Sequence, residues 1–445
     1  MNRAGRNRRL NQRLNRRLSE RVVHLRAGTG LPVVAVGLGG GLVGAAYVGA
    51  LHLLERWLWP THHGQLATLA ILVAVGAAVA VCTRLGGDAG NVELLVDNIH
   101  VLGGVDDVRR LRPLIPASLL CVASGGAMGP EAPLVQTTGT LGSWLGDRLD
   151  RDRIDVRVLT ITGMAAGFTV LFGAPLGAAL FALEILHRRG LQYYEALLPA
   201  LVGSLCGYGV YALVTGSGLE PVWSFPAVGT LHGTDLLAAV VVGAVGGLGA
   251  VLFAGLSAVA RRGFARLPTP ARPLLGGLGL GLLALWSPYA LTFGEAQLGG
   301  LVGVRLAVSA LVVAVVAKLA GTVLTLASGW KGGFIIPLFF MGAALGQIAH
   351  HLVPTISEPL LMAATMAALC AGVTKTPLGS TLVVTEMAGL ALLPVILVAA
   401  LVALAVAAPV TLIDSQRARS DGHGPRPRER GAVDTEAVDE QDGRP

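Results

Sequence analysis

The sequence predicts an all-α polytopic membrane protein whose two halves repeat each other as sets of tilted, partly broken helices. Three observations predict it. Of 445 residues, 53% are hydrophobic, only 14% are charged and the mean hydropathy is +0.66, far from a soluble globular balance. Uncharged segments long enough to cross or deeply enter a bilayer recur along the chain, among them 31–54, 66–81, 236–259 and 390–413. Their apolar residues run continuously instead of alternating, which disfavours a β-barrel, and 61 glycines suit close helix packing and interrupted helices. The third observation is an internal repeat, set out below.

In chain order, residues 1–27 carry nine arginines with leucines and valines between them, and no apolar core with a cleavage site follows. This basic segment, 1–30, reads as cytoplasmic under the positive-inside rule rather than as a signal peptide, and it accounts for much of the net charge of +7 without invoking nucleic acid. A transmembrane domain is expected over 31–413, with halves at about 31–215 and 232–413 and a mixed-charge loop at 147–157. Arg261, Arg262 and Arg266 mark a further cytoplasmic loop, and 390–413 forms the last span. Residues 414–445 are charged, with proline and glycine and almost no large apolar side chains, and read as a disordered cytoplasmic tail. The protein is thus expected in the inner (plasma) membrane, multi-pass, with both termini cytoplasmic. Cys82, Cys121, Cys206 and Cys370 stand singly in apolar segments without metal-ligand spacing, so no metal or other cofactor is expected. Neither Gly-x-Ser-x-Gly nor His-Glu-x-x-His occurs, so nothing points to an enzyme.

The repeat appears when the chain is laid on itself. An offset of 204 superposes Ser124, Gly125, Gly129 and Pro133 on Ser328, Gly329, Gly333 and Pro337. An offset of 202 superposes Pro175, Gly177 and Glu184 on Pro377, Gly379 and Glu386. Two motifs in one order at nearly one spacing indicate duplicated halves, the pattern of membrane transporters and channels in which broken-helix N-termini face a substrate near the midplane. The duplication alone does not say whether the second copy is inverted. Each turn combines glycines that let backbone approach an ion with a following helix N-terminus, whose free N–H groups and dipole favour an anion.

Glu131 is the one acid between two uncharged stretches, 114–122 and 134–145. Within a bilayer such a group costs at least ~2.5–3.5 kcal/mol unless partnered, which marks it as functional; as a helix N-terminal acid it would be stabilised by the dipole whatever the protein does. Lys318, Lys331 and Lys375 are the only lysines, and the last two sit in the repeat motifs. They read either as attracting anions into a vestibule or as snorkelling at helix ends. Glu184 and Glu386 read as structural helix-end acids.

With these motifs in place, the chain resembles the CLC chloride channels and anion/proton antiporters over about residues 30–413. The three anion-binding stretches of that family have counterparts at 88–92, 129–133 and 333–337, and Ala174 to Glu184 and Thr376 to Glu386 resemble two of its later helices. The resemblance implies a homodimer in membrane lipid with inverted halves and one anion pathway per subunit, and Glu131 as the gate that occupies an anion site when no anion does. It implies anion binding at Ala89, Gly90, Gly129, Pro130, Ala132, Gly333, Phe334, Ile335 and Thr411. Three of these depart from the family pattern: Ala89 replaces a serine, Thr411 a tyrosine, and Pro130, which has no N–H, a basic residue. The acid that passes protons in many family antiporters is here Ile185, which favours an uncoupled, channel-like conduit. The alternatives are a chloride/proton antiporter with another internal proton path, and a fluoride- or nitrate-selective member. A transporter of organic solutes stands further off.

Overall fold

A computed structural model describes residues 29–59, 64–86, 99, 107–187, 193–216, 218–219, 221–413, 415 and 416. Among them are fifteen α-helices and no strand. The first half holds α1 (Gly30–Leu58), α2 (Gln65–Gly86), α3 (Leu111–Ala123), α4 (Glu131–Arg148), α5 (Arg153–Phe172), α6 (Pro175–Glu184) and α7 (Leu197–Thr215). The second holds α8 (Gly233–Ala265), α9 (Ala271–Trp286), the short α10 (Glu295–Gly303), α11 (Val308–Ala327), α12 (Ile335–Leu352), α13 (Glu358–Thr374), α14 (Pro377–Ala388) and α15 (Leu393–Val406). Seven helical stretches among the described residues are long and apolar enough to cross a membrane; α6, α9, α13 and α15 are apolar but shorter.

Local chemistry sets the breaks. Asp152 caps α5 by accepting from the N–H groups of Ile154 and Asp155, and Gly173 ends it in the left-handed region at φ +62°. Pro175 and Pro377 open α6 and α14, where a missing N–H costs nothing. Three expected boundaries move. The mixed-charge stretch 147–157 is mostly helical, because α4 runs to Arg148 and Asp152 restarts the chain at Arg153. Arg261 and Arg262 lie inside α8, which is 33 residues long, and not in a loop. The last expected span, 390–413, is α-helical only over Leu393–Val406.

The body also continues past 413, the expected start of a disordered tail. Gln416 is buried, and its amide donates to the carbonyls of Ile185 (2.9 Å) and Thr374 (2.7 Å).

The halves are inverted. Gly129 and Gly333, equivalent positions of the repeat, pair antiparallel. The helices α6 and α14 lie side by side with opposite sense, each capping the other. Glu184 near the end of α6 accepts from Gly379 N–H at the start of α14 (2.6 Å), and Glu386 accepts from Gly177 N–H (2.7 Å). The two acids therefore satisfy free N–H groups at helix N-termini, the structural role expected of them. Duplication also repeats the packing. A Cβ on Gly142 of α4 would stand 2.1 Å from the Leu159 carbonyl of α5, and one on its equivalent Gly346 of α12 would stand 2.4 Å from Met362 Cα of α13. Phe168, Phe172, Phe181 and Phe339 tie the halves together at the centre, with Phe172 and Phe339 rings 5.8 Å apart.

This packing makes glycine obligatory at some positions and incidental at others. Gly142→Leu should cost well over the ~1–3 kcal/mol typical of overpacking, because the obstacle is backbone. Gly49→Leu, with nothing within 4 Å of the added Cβ, should be tolerated. Thermal unfolding in detergent followed by size-exclusion chromatography separates them, and equal melting of the two variants would contradict the account.

Candidate functional site

The motif turns at 124–133 and 328–337 meet face to face. Gly129 N–H donates to the Gly333 carbonyl (2.8 Å) and Gly333 N–H to the Gly129 carbonyl (2.6 Å), so two loops deep in the protein satisfy each other's backbone groups. Directly after this bridge the chain turns into α4 on one side and α12 on the other. The two helix N-termini, each with unpaired N–H groups and a partial positive charge, therefore converge on one point.

Glu131 stands at that point, the first residue of α4, with no exposed surface. Its Oε1 accepts from Ile336 N–H in the first turn of α12 at 2.5 Å, while Oε2 has no hydrogen-bond partner. A buried carboxylate with one unsatisfied oxygen is costly, and two positive helix ends are what offset that cost. The glycines make room for it: a Cβ on Gly129 would lie 2.2 Å from Oε2, and one on Gly333 2.3 Å. The backbone N of Ala132 lies 3.0 Å from that same Gly333 Cβ position, so its amide borders the carboxylate too. Gly129, Pro130, Glu131, Ala132, Gly333, Phe334 and Ile335 are thus brought together. Pro130, the residue before α4, shapes the turn without contributing a donor.

Residues 100–408 match the family profile described as voltage gated chloride channel. The chain belongs to that family. It is 30% identical over 375 residues to a chloride/fluoride channel protein of Pseudomonas syringae pv. tomato, a match covering 81% of this chain and 80% of the relative. Among solved structures it is similar in fold to a slow cyanobacterial Cl−/H+ antiporter, with a TM-score of 0.76, 22% identity and coverage of 85% of this chain and 94% of the other. It is also similar to a CLC-type fluoride/proton antiporter, with a TM-score of 0.75, 24% identity and coverage of 88% and 98%.

Other residues expected at the site are placed differently. Ala89 and Gly90 lie outside the described residues. Thr411 follows α15 in an irregular, half-buried segment. Ile185, directly after α6, is buried; its N–H donates to the Phe181 carbonyl and its own carbonyl accepts from Gln416. Lys375 neither lines a vestibule nor snorkels. It is buried at the left-handed C-cap of α13 (φ +63°), and its Nζ donates to the carbonyls of Gly372 (2.8 Å) and Ala407 (2.5 Å). A cation at two helix C-terminal ends is what their dipoles favour.

Some neighbours of the site were not foreseen. Lys318 of α11 is wholly buried and donates to the carbonyls of Leu291 (2.7 Å) and Thr292 (2.8 Å), with its ammonium 5.2 Å from the centre of the Phe340 ring. Thr292 N–H in turn donates to the Gly125 carbonyl (2.8 Å), so Lys318 braces the turn that leads to Glu131. A lysine in an apolar helix was the available signal. Beside this turn lies a cavity of about 670 Å³, lined by Glu55, Trp59, Gly125, Trp223, Thr292 and Glu295. Its lining carries two carboxylates, Glu55 and Glu295.

Gly333→Ala would place a methyl group within 2.3 Å of Glu131 Oε2 and force the carboxylate off Ile336 N–H. In reconstituted vesicles this variant should give an anion flux whose pH response matches that of Glu131→Ala. A profile identical to the parent's would show that the carboxylate does not depend on this position.

Proposed function

We propose that this protein carries small inorganic anions, chloride first, across the inner membrane along a pathway gated by Glu131. The observation that carries the reading is the carboxylate of Glu131, itself an anion, buried and held by Ile336 N–H where two helix N-termini converge. Donors arranged for a carboxylate suit a halide of similar size and charge. In this reading the amides of Ala132, Phe334, Ile335 and Ile336 hold the anion once Glu131 leaves, with Gly129 and Gly333 keeping the space clear. Ala89, Gly90 and Thr411 complete an inner site built mainly from backbone. Protonation of Glu131 removes its charge, weakens its hold on the helix ends and lets an anion take its place. The chloride/fluoride channel protein of Pseudomonas syringae pv. tomato supports this reading and keeps fluoride, beside nitrate, as an alternative anion.

The arginine-rich segment at 1–27 supports cytoplasmic termini. Exposed leucines on α6, α7, α14 and α15, including Leu176, Leu205, Leu378 and Leu401, suit a homodimer interface embedded in lipid. The buried isoleucine at 185 supports conduction that does not use an acid at that position.

The test is chloride flux from liposomes containing the parent, Glu131→Gln or Glu131→Ala over a range of pH. Loss of a charge-assisted hydrogen bond worth ~1.5–3 kcal/mol should raise anion occupancy of the site about ten- to a hundredfold. Both variants should therefore bind chloride more tightly by calorimetry, and their flux should lose its pH response. Parent-like affinity and pH response in both would sink the gate assignment.

A further inference from the structure

The cavity of about 670 Å³ beside the Gly125 turn has a charge opposite in sign to that of the helix ends around Glu131. Its volume falls within the ~300–1,000 Å³ of sites that hold small molecules. Glu55, near the C-terminal end of α1, and Glu295, the first residue of α10, both line it and are half-buried. Among the described residues no lysine, arginine or histidine forms an ion pair with either. The dipole of α10 favours Glu295 at its N-terminus, whereas Glu55 stands at the negative end of its helix. A half-buried carboxylate so placed is costly without a counter-charge.

Trp59, Trp223 and Phe293 form the aromatic part of the wall. Each indole uses its one donor on backbone: Trp59 Nε1 donates to the Ala123 carbonyl (3.0 Å) and Trp223 Nε1 to the Glu295 carbonyl (3.1 Å). Toward the cavity these side chains therefore offer ring surface, and a ring face carries partial negative charge. The floor is fixed before anything binds. Thr292 N–H donates to the Gly125 carbonyl (2.8 Å), and Lys318 Nζ holds the carbonyls of Leu291 (2.7 Å) and Thr292 (2.8 Å). His52, Thr292 and Ala296 are exposed, so the cavity is open on their side. Two carboxylates repel an anion. A metal ion fits poorly too, since among the described residues no three histidine, cysteine, aspartate or glutamate side chains come together to hold one. Carboxylates beside aromatic faces suit a cation whose charge is borne on an apolar body.

We propose that this cavity binds an organic ammonium cation, best a diamine on a short aliphatic chain. Its ammonium groups donate to the carboxylates of Glu55 and Glu295, in charge-assisted hydrogen bonds. The rings of Trp59, Trp223 and Phe293 cover the chain and flank the charges. The cation supplies the counter-charge that the two acids lack within the protein, and its methylene groups displace water from the aromatic wall. Binding is reversible and involves no covalent step. The site is separate from the one at Glu131, and it does not depend on that residue's role as a gate.

The test is calorimetric titration of the full chain in detergent with 1,4-diaminobutane, and with 1,4-butanediol as its neutral counterpart. The parent should bind the diamine saturably at one site per chain and should not bind the diol. Raising the ionic strength with sodium gluconate should weaken the diamine, as expected of a partly screened charge pair. Glu55→Gln and Glu295→Gln should each lower its affinity about tenfold. Glu55→Asp and Glu295→Asp, which keep the charge, should stay closer to the parent than the glutamine variants. Trp59→Leu should weaken binding about fivefold and Trp59→Phe, which keeps a ring, should weaken it less. Glu131→Gln should bind the diamine as the parent does. No saturable binding, equal binding of the diol, or parent-like affinity in both glutamine variants would overturn the proposal. Displacement of the diamine by an equal concentration of magnesium or calcium ions would overturn the ligand class, and its loss in Glu131→Gln would return the binding to the site already described.

Discussion

The Gly129–Gly333 bridge is the constraint on which the rest depends. It brings two interrupted helices end to end at the interior, and it does so with the fewest atoms a chain can offer, two peptide groups and no side chains. Because both glycines lack a Cβ, the space beside them is free for one carboxylate. A buried acid would ordinarily be among the least favourable groups in a membrane protein. Here α4 and α12 both present their positive ends to it, so the geometry that closes the bridge also stabilises the anion beside it.

Much of the surrounding architecture serves to keep that point fixed. The close α4–α5 and α12–α13 contacts hold the two helices that start at the bridge. Lys318 braces the loop that hydrogen-bonds Gly125, and Lys375 ties the C-terminal ends of α13 and α15 together. Glu184 and Glu386 cap each other's helices across the pseudo-symmetry. The few charged side chains inside the protein thus act mainly on helix ends, where a charge meets an opposing dipole rather than hydrocarbon.

The two halves are alike in backbone and unlike in side chain. Ile335 occupies the place that Glu131 holds in the first half, so both turns offer amides but only one offers a competitor for them. The first acid is buried against the second half, on Ile336. Duplication supplied the frame, and divergence within it placed a titratable group on one side and an isoleucine on the other.

By itself the sequence determined the membrane environment, the duplication, the two motif turns and the candidacy of Glu131, because these follow from composition, from spacing and from the cost of a charge in an apolar stretch. It also carried the structural role of Glu184 and Glu386. Only the tertiary structure decided that the halves are inverted, since a linear offset of 204 is the same for either sense. Only the fold showed that Lys375 lies on helix ends, that Arg261 and Arg262 continue α8 and that Gln416 belongs to the packed body. The hydrogen-bonded hydroxyls of Thr374, Thr376 and Ser380 were illegible for the same reason. Isolated hydroxyls in an apolar run look like helix-backbonding residues, and what they share appears only when one helix ends, a left-handed lysine turns the chain, and the next helix begins.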